Sequence, residues 1–163
     1  MNITLEIITM NEKEVLRNLY SLYLHDLSEF TDGLELSTNG SFEFDAFDVI
    51  WEQDGLSPYF VKANGKIAGF LLLAERPFLK KEYDFCINDI FILRNFRGNG
   101  IGKKVLKELF RLKKGTYVVL ELSKNEPAVC FWKKIYRTFE IKVEEQEKVI
   151  DGDKCLVQSF VIS

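Results

Sequence analysis

The sequence predicts one domain of mixed α/β (α+β) class, and three observations carry that prediction. Strand-like and helix-like stretches follow one another along the chain as strand, one or two helices, hairpin, strand, helix, strand, helix, hairpin. Residues 87–112, INDIFILRNFRGNGIGKKVLKELFRL, read as a buried strand, a sharp glycine turn and an amphipathic helix. No repeat, linker or low-complexity tract interrupts the order, and 163 residues are enough for one sizeable core.

Each element has its own local reason. Residues 3–8 alternate weakly and are expected as the first strand. Asn11 stands three residues before Glu14 and is expected to cap a long helix over residues 12–30, with Val15, Leu16, Leu19, Tyr20, Tyr23 and Leu27 on its apolar face. Gly33, Asn39 and Gly40 mark residues 31–41 as a loop, and the aromatic-rich run 44–51 is expected as a short helix that packs on the core. Asn64-Gly65 between two apolar runs is a strong hairpin signal for strands ending near 63 and starting near 66. A charged connection at residues 80–84 leads into the central strand, which has almost no charge and reads as covered on both faces.

After the central helix, Gly115 stops the pattern and residues 117–122, YVVLEL, form another buried strand. Pro127 suits the first turn of a helix carrying Ala128, Phe131, Trp132 and Ile135. The tail, from residue 138 onward, reads as a hairpin turning at Asp151-Gly152-Asp153.

Within the central segment, Gly98, Gly100 and Gly102 let the backbone take positive φ and approach a ligand. The unpaired N–H groups of the helix start suit phosphate oxygens, and Arg97, Lys103 and Lys104 add positive charge. The spacing fits neither dinucleotide fingerprint nor P-loop: the sixth residue from Gly98 is Lys103, and no Gly-Lys-Ser/Thr is present. A purely architectural glycine turn is the alternative.

The segment Arg97-Gly98-Asn99-Gly100-Ile101-Gly102 after a strand resembles the Arg/Gln-x-x-Gly-x-Gly/Ala signature of the GNAT family of acyl-CoA N-acetyltransferases, and Asn125-Glu126-Pro127-Ala128 followed by Phe131-Trp132 resembles that family's second signature. The resemblance implies a GNAT fold, with a mostly antiparallel sheet splayed between its fourth and fifth strands and flanked by helices. It further implies acetyl-CoA as co-substrate and no metal, with the pyrophosphate on the backbone amides from Gly98 to Lys103. The pantetheine arm would lie against Ile90, Phe91 and Ile92, with Asn125 and Trp132 as further contacts. Within the family the chain looks like a subgroup of bacterial acetyltransferases of unassigned substrate. It departs from the pattern at Trp132, where many members carry a tyrosine that protonates the departing thiolate; an indole N–H only donates and is no practical acid.

For direct attack of an amine on a thioester, the chemistry needs a base and a stabilised oxyanion. The amide of Ile92 is the oxyanion donor expected from the resemblance. Asp89, alone in an apolar strand beside the expected splay, is the first base candidate, against a solvated or lysine-paired carboxylate. Glu121 is the reserve, against a structural ion pair, and Tyr136 is an acid candidate if the helix turns its hydroxyl inward, against simple packing. Cys130 is expected in an inert apolar setting and His25 at the surface.

Composition limits the remaining classes. A net charge of −3 gives no overall attraction to nucleic acid and does not repel a cationic amine acceptor. Three cysteines without a C-x-x-C and one histidine suggest reduced thiols, a cytoplasmic setting and no metal site. The first residues lack the pattern of a leader, and no run is long and apolar enough for a membrane span. A homodimer is allowed for. The reading from sequence is therefore an acetyl-CoA-dependent N-acetyltransferase acting on a primary amine by direct attack through a tetrahedral intermediate, with a catalytically impaired coenzyme-A-binding sensor as the alternative.

Overall fold

The computed structural model describes residues 1–80 and 82–163, so Lys81 in the charged connection lies outside the described residues. Its strands are β1 (Ile3–Ile7), β2 (Leu56–Ala63), β3 (Lys66–Glu75), β4 (Phe85–Ile92), β5 (Gly115–Leu122), β6 (Glu144–Ile150) and β7 (Asp153–Ile162). Its α-helices are α1 (Lys13–Leu27), α2 (Val49–Glu52), α3 (Ile101–Leu112) and α4 (Glu126–Thr138), with short 3-10 turns at Met10–Glu12 and Arg94–Phe96. The strands form one seven-stranded sheet in the order β1-β2-β3-β4-β5-β7-β6. All neighbours run antiparallel except β4 and β5.

Both expected hairpins form. Asn64 and Gly65 have φ of 50° and 81°, and Asp151 and Gly152 have φ of 51° and 84°. Positive φ at both central residues is what a two-residue turn needs to match strand twist, and Asn, Asp and Gly take it at least cost.

Three boundaries differ from the sequence expectation. The first helical turn is capped by Thr9 rather than Asn11: the Thr9 N–H donates to the Glu12 carboxylate at 3.2 Å. Helix α1 stops at Leu27, because the chain tightens into three-residue turns such as Phe30 N–H to Leu27 C=O at 2.9 Å. The helix expected over 44–51 is reduced to Val49–Glu52. Phe44 is instead drawn flat onto Tyr20, with ring centroids 4.8 Å apart, and residues 44–47 form a turn.

The sheet separates two apolar layers. On one face, α3 and α4 pack through Val105, Leu106, Leu109, Trp132 and Ile135 against Leu71, Leu73, Ile87, Tyr117 and Val119. On the other, α1 and α2 pack through Leu16, Leu19, Tyr20 and Ile50 against Phe60, Phe70, Leu72 and Phe91. Strand β3 supplies both layers from alternate residues, as a strand covered on both sides must.

Two irregularities in β4 prepare the site. The parallel pairing with β5 lasts only from Phe85 to Ile87, against Tyr117 to Val119, so beyond Ile87 the two strands diverge. The register against β3 also shifts there: Leu73 pairs with Ile87 and Leu72 with Asp89, leaving Asn88 as the extra residue of a bulge. Ile87 belongs to the α3/α4 layer, and without the bulge Asp89 would share its face. With it, Asp89, Phe91 and Leu93 turn toward α1, while Ile90 and Ile92 stay on the α3/α4 side.

Candidate active site

The divergence of β4 from β5 opens a gap whose β4 wall is bare backbone. The Leu93 N–H donates to Ala68 C=O at 2.8 Å, and Phe91 pairs with Phe70 two steps earlier in the same register. Because direction alternates along a strand, the backbone groups of Phe91 point to β3 while those of Ile90 and Ile92 point into the gap. Among the described residues no strand pairs with them there. The Ile92 C=O is taken by the Arg97 Nε at 2.7 Å, while the Ile92 N–H has no partner among the described residues.

The gap leads to the glycine loop. Gly98 and Gly100 have φ of 81° and 72°, and a Cβ at either would meet nothing within 4 Å. The first intrahelical bond of α3 runs from Lys104 N–H to Gly100 C=O at 3.1 Å, and no side chain among the described residues caps the helix. The amides preceding Lys104 are therefore free of the helix ladder, at the positive end of its dipole. Asn99 folds its Nδ2 back to Phe96 C=O at 3.0 Å, and Lys103 stands exposed on the first turn. Such an open cradle of N–H groups fits a pyrophosphate.

Two members of this motif also make contacts within the protein. Gly102 is buried in helix α3, and a Cβ there would lie 2.6 Å from the Phe131 ring, so it serves helix packing, with Ile101 buried beside it. The Arg97 guanidinium is bound at 2.7 Å by Asp26 from the end of α1, which also holds Arg94 at 2.8 Å. Burial alone would raise the pKa of Asp26, but the hydrogen bonds and charges of the two arginines prevail and hold its carboxyl below the usual range. Arg97 therefore fixes the end of β4 to α1, and because one carboxylate faces two guanidiniums the cluster keeps a net positive charge next to the glycine loop.

Asp89 sits at the bulge, half-buried. Its Oδ2 accepts from the Tyr20 hydroxyl at 2.7 Å and from Asn88 Nδ2 at 2.9 Å. Burial pushes its pKa up; the hydrogen bonds of Tyr20 and Asn88 and the nearby Tyr23 hydroxyl oppose this and leave it raised. Tyr20 and Tyr23 are both held well above the ordinary phenol range, first by burial and then by the neighbouring carboxylate. Among the described residues no lysine or arginine pairs with Asp89.

Glu121 does not join it. It lies on β5 with Tyr117 and Val119, on the α3/α4 face, whereas Asp89 faces α1. Among the described residues neither oxygen of Glu121 finds a hydrogen-bond partner, although the residue is only 6% exposed, and the expected ion pair does not form. Burial, reinforced by Glu145, raises its pKa to about 7, against weaker opposition from Gln158 and Lys133. The Tyr136 hydroxyl reaches β7, where it donates to the buried Gln158 Oε1 at 2.6 Å, and Gln158 Nε2 donates to Glu145 at 2.7 Å. Trp132, 4% exposed, stacks on Tyr136 and against Phe131, which leaves little of the indole for a ligand. Asn125 caps α4 through Oδ1, accepting from the Ala128 N–H at 3.2 Å.

Tyr20, Tyr23 and Asp26 were not singled out from sequence as site residues. The tyrosines stand three apart on one helix face, a signal shared with ordinary core packing. Cys130 proves exposed rather than buried, and His25 is exposed as expected. Among the described residues no group of His, Cys, Asp and Glu could hold a metal ion, and no helix is long and apolar enough to cross a membrane.

Comparison with known proteins agrees with this geometry. The sequence model of the Acetyltransferase (GNAT) family matches residues 17–136. Among solved structures, an acetyltransferase from Thermus thermophilus superposes with a TM-score of 0.71 at 13% identity, covering 98% of this chain and 96% of its own. NAA60 of Arabidopsis thaliana, solved with acetyl-CoA, gives 0.60 at 13% identity, covering 98% and 97%. The ribosomal-protein-S18-alanine N-acetyltransferase of Escherichia coli gives 0.58 at 12%, covering 99% and 95%. No curated protein sequence matches the chain. The matched span includes the splayed strands, the glycine loop and α4 as far as Tyr136, and on that evidence the chain belongs to the GNAT family of acetyltransferases.

Proposed function

We propose that the protein transfers an acetyl group from acetyl-CoA to a primary amine by direct attack. The observation that carries this reading is that the β4 backbone left without a strand partner among the described residues is followed, after the short turn Arg94–Phe96, by a cradle of free helix N–H groups at the glycine loop. The amides of residues 98–103 would hold the pyrophosphate, the Ile90 and Ile92 backbones the pantetheine arm, and Asn125 its flank. Acetyl-CoA supplies the activated acetyl group as a thioester. The Ile92 N–H stabilises negative charge on the carbonyl oxygen, and Asp89, uncompensated by any cation among the described residues, takes a proton from the acceptor's ammonium so that the neutral amine attacks. A raised carboxyl pKa brings Asp89 closer to the range in which a base works at neutral pH. Residues 18–61, which include the loop between α1 and α2, contain no Lys or Arg, so this side favours a cationic acceptor.

Calorimetric titration of acetyl-CoA, with NADH and ATP as controls, tests the first half. Saturable binding of acetyl-CoA alone is expected, and Gly100→Glu should weaken it at least tenfold by placing a side chain and a negative charge in the cradle. Unchanged affinity in that variant would remove the premise. Thiol release from acetyl-CoA with amino acids, polyamines, aminoglycosides and peptide N-termini tests the second half. Asp89→Asn should lower kcat by about 100-fold, within the usual range for loss of a general base, with acetyl-CoA affinity kept. Tight acetyl-CoA binding without turnover on any amine would favour the sensor reading.

A further inference from the structure

The bulge at Asn88 and the aromatic face of α1 bring together two groups 69 residues apart in the chain, the Tyr20 hydroxyl and Asp89 Oδ2, at 2.7 Å. Tyr20 is 1% exposed, stacked on Phe44 and tilted against Phe70 at 4.5 Å. A phenylalanine would satisfy those ring contacts equally; the hydroxyl is superfluous to packing, and a buried hydroxyl is tolerated only with a partner. Its partner is the carboxylate. Asn88 donates to the same oxygen, so both hydrogen bonds converge on Oδ2 and neither falls on Oδ1.

The other groups around Asp89 do not compete for this role. From α1 there is Tyr23, whose hydroxyl lies near the carboxylate but, among the described residues, makes no hydrogen bond to either of its oxygens. From its own strand there is Cys86, whose thiol burial and Asp89 push up to about 11, and opposite on β3 the apolar Leu72. Arg97 lies over the Phe91 ring and is paired with Asp26, not with Asp89.

We propose that Tyr20 is a positioning residue for the transfer: by holding Oδ2 it fixes the carboxylate so that Oδ1 is the atom that receives the acceptor's proton. The N–H bond of the ammonium breaks, its electron pair stays on nitrogen for attack, and the O–H bond forms at Oδ1. This inference rests on the reading of Asp89 as the base.

The test uses the folded full chain labelled with 13C at aspartate Cγ, with the Asp89 resonance identified by its loss in Asp89→Asn. Tyr20→Phe removes a hydrogen bond that favours the charged carboxylate, so the Asp89 titration should move up by at least half a pH unit, a threefold change in the proton equilibrium. The acid limb of kcat/KM for the amine should move with it while KM for acetyl-CoA stays. Asn88→Ala should produce a smaller upward movement. An unmoved Asp89 titration in Tyr20→Phe overturns the proposal. Should that variant not fold, the reciprocal measurement decides: 13C-labelled tyrosine in Asp89→Asn should show Tyr20 titrating lower, and an unchanged value overturns the contact. Full activity of Asp89→Asn across pH would instead overturn the base reading, and this assignment with it. A slow Asp89→Asn beside an unshifted Tyr20→Phe overturns the positioning role alone.

Discussion

Glu121 and Asp89 are both carboxylates in apolar surroundings, and their neighbours give them different fates. Asp89 has two donors on one oxygen; Glu121 has none among the described residues, because Gln158, the amide of its buried cluster, gives its Nε2 to Glu145 and its Oε1 to Tyr136. Glu121 therefore holds a proton up to a pKa of about 7, compared with 4.5 for an ordinary glutamate. A pKa raised on folding means the native state binds the proton more tightly, so the contribution is fully present below pH 4.5 and is lost as pH rises through 7. Glu121→Gln should abolish that dependence. Urea denaturation should find it about 3 kcal/mol more stable than wild type at pH 8 and within about 1 kcal/mol of it at pH 5; equal stability at both would show that Glu121 is hydrated. From sequence, Asp89 was legible because a lone carboxylate in an apolar strand is conspicuous. The fate of Glu121 was not, since it depends on where Gln158 and Glu145 stand on two other strands.

At the scale of elements, the glycine turn and its helix combine two physical demands. Gly98 and Gly100 need positive φ and open space; Gly102 needs neither, and instead lets α4 press the Phe131 ring against α3. Their alanine variants should behave differently. Gly98→Ala incurs backbone strain of about 1 kcal/mol. Gly102→Ala forces a methyl into a 2.6 Å contact and should destabilise by about 1–3 kcal/mol, the usual cost of overpacking. Thermal denaturation of the two variants distinguishes them, and a Gly102→Ala protein as stable as wild type would mean that α4 yields freely. The strand, turn and helix were readable from residues 87–112, because Ile, Phe, Gly and a helical apolar stripe report local conformation. The distinction between the glycines was hidden, because it is made by Phe131 on another helix.

At the scale of the whole molecule, the sheet divides two layers, and each contains one tryptophan: Trp51 packs with the α1/α2 side and Trp132 with the α3/α4 side. Strand β3 feeds both layers, Leu71 and Leu73 to one, Phe70 and Leu72 to the other. Loss of either layer strips one face of the same strand, so the two should unfold together. Fluorescence of Trp51→Phe and Trp132→Phe should each coincide with far-UV circular dichroism along the same urea curve. Separate midpoints within either variant would show that the splay divides the molecule into independent units. What the sequence by itself determined is local: the order of elements, both Asx-Gly turns, the glycine loop and the apolar stripe of α3. Each is a conformational preference of residues adjacent in the chain. Only the tertiary structure decided which face Asp89 takes, that Tyr20 meets it, that Asp26 claims Arg97, and that Gln158 turns its amide to Tyr136 and Glu145 instead of Glu121. These contacts join residues on different elements, 69 apart for Tyr20 and Asp89 and 71 for Asp26 and Arg97. They turn on one bulged residue, Asn88, and on strand register, which hydrophobic periodicity does not encode.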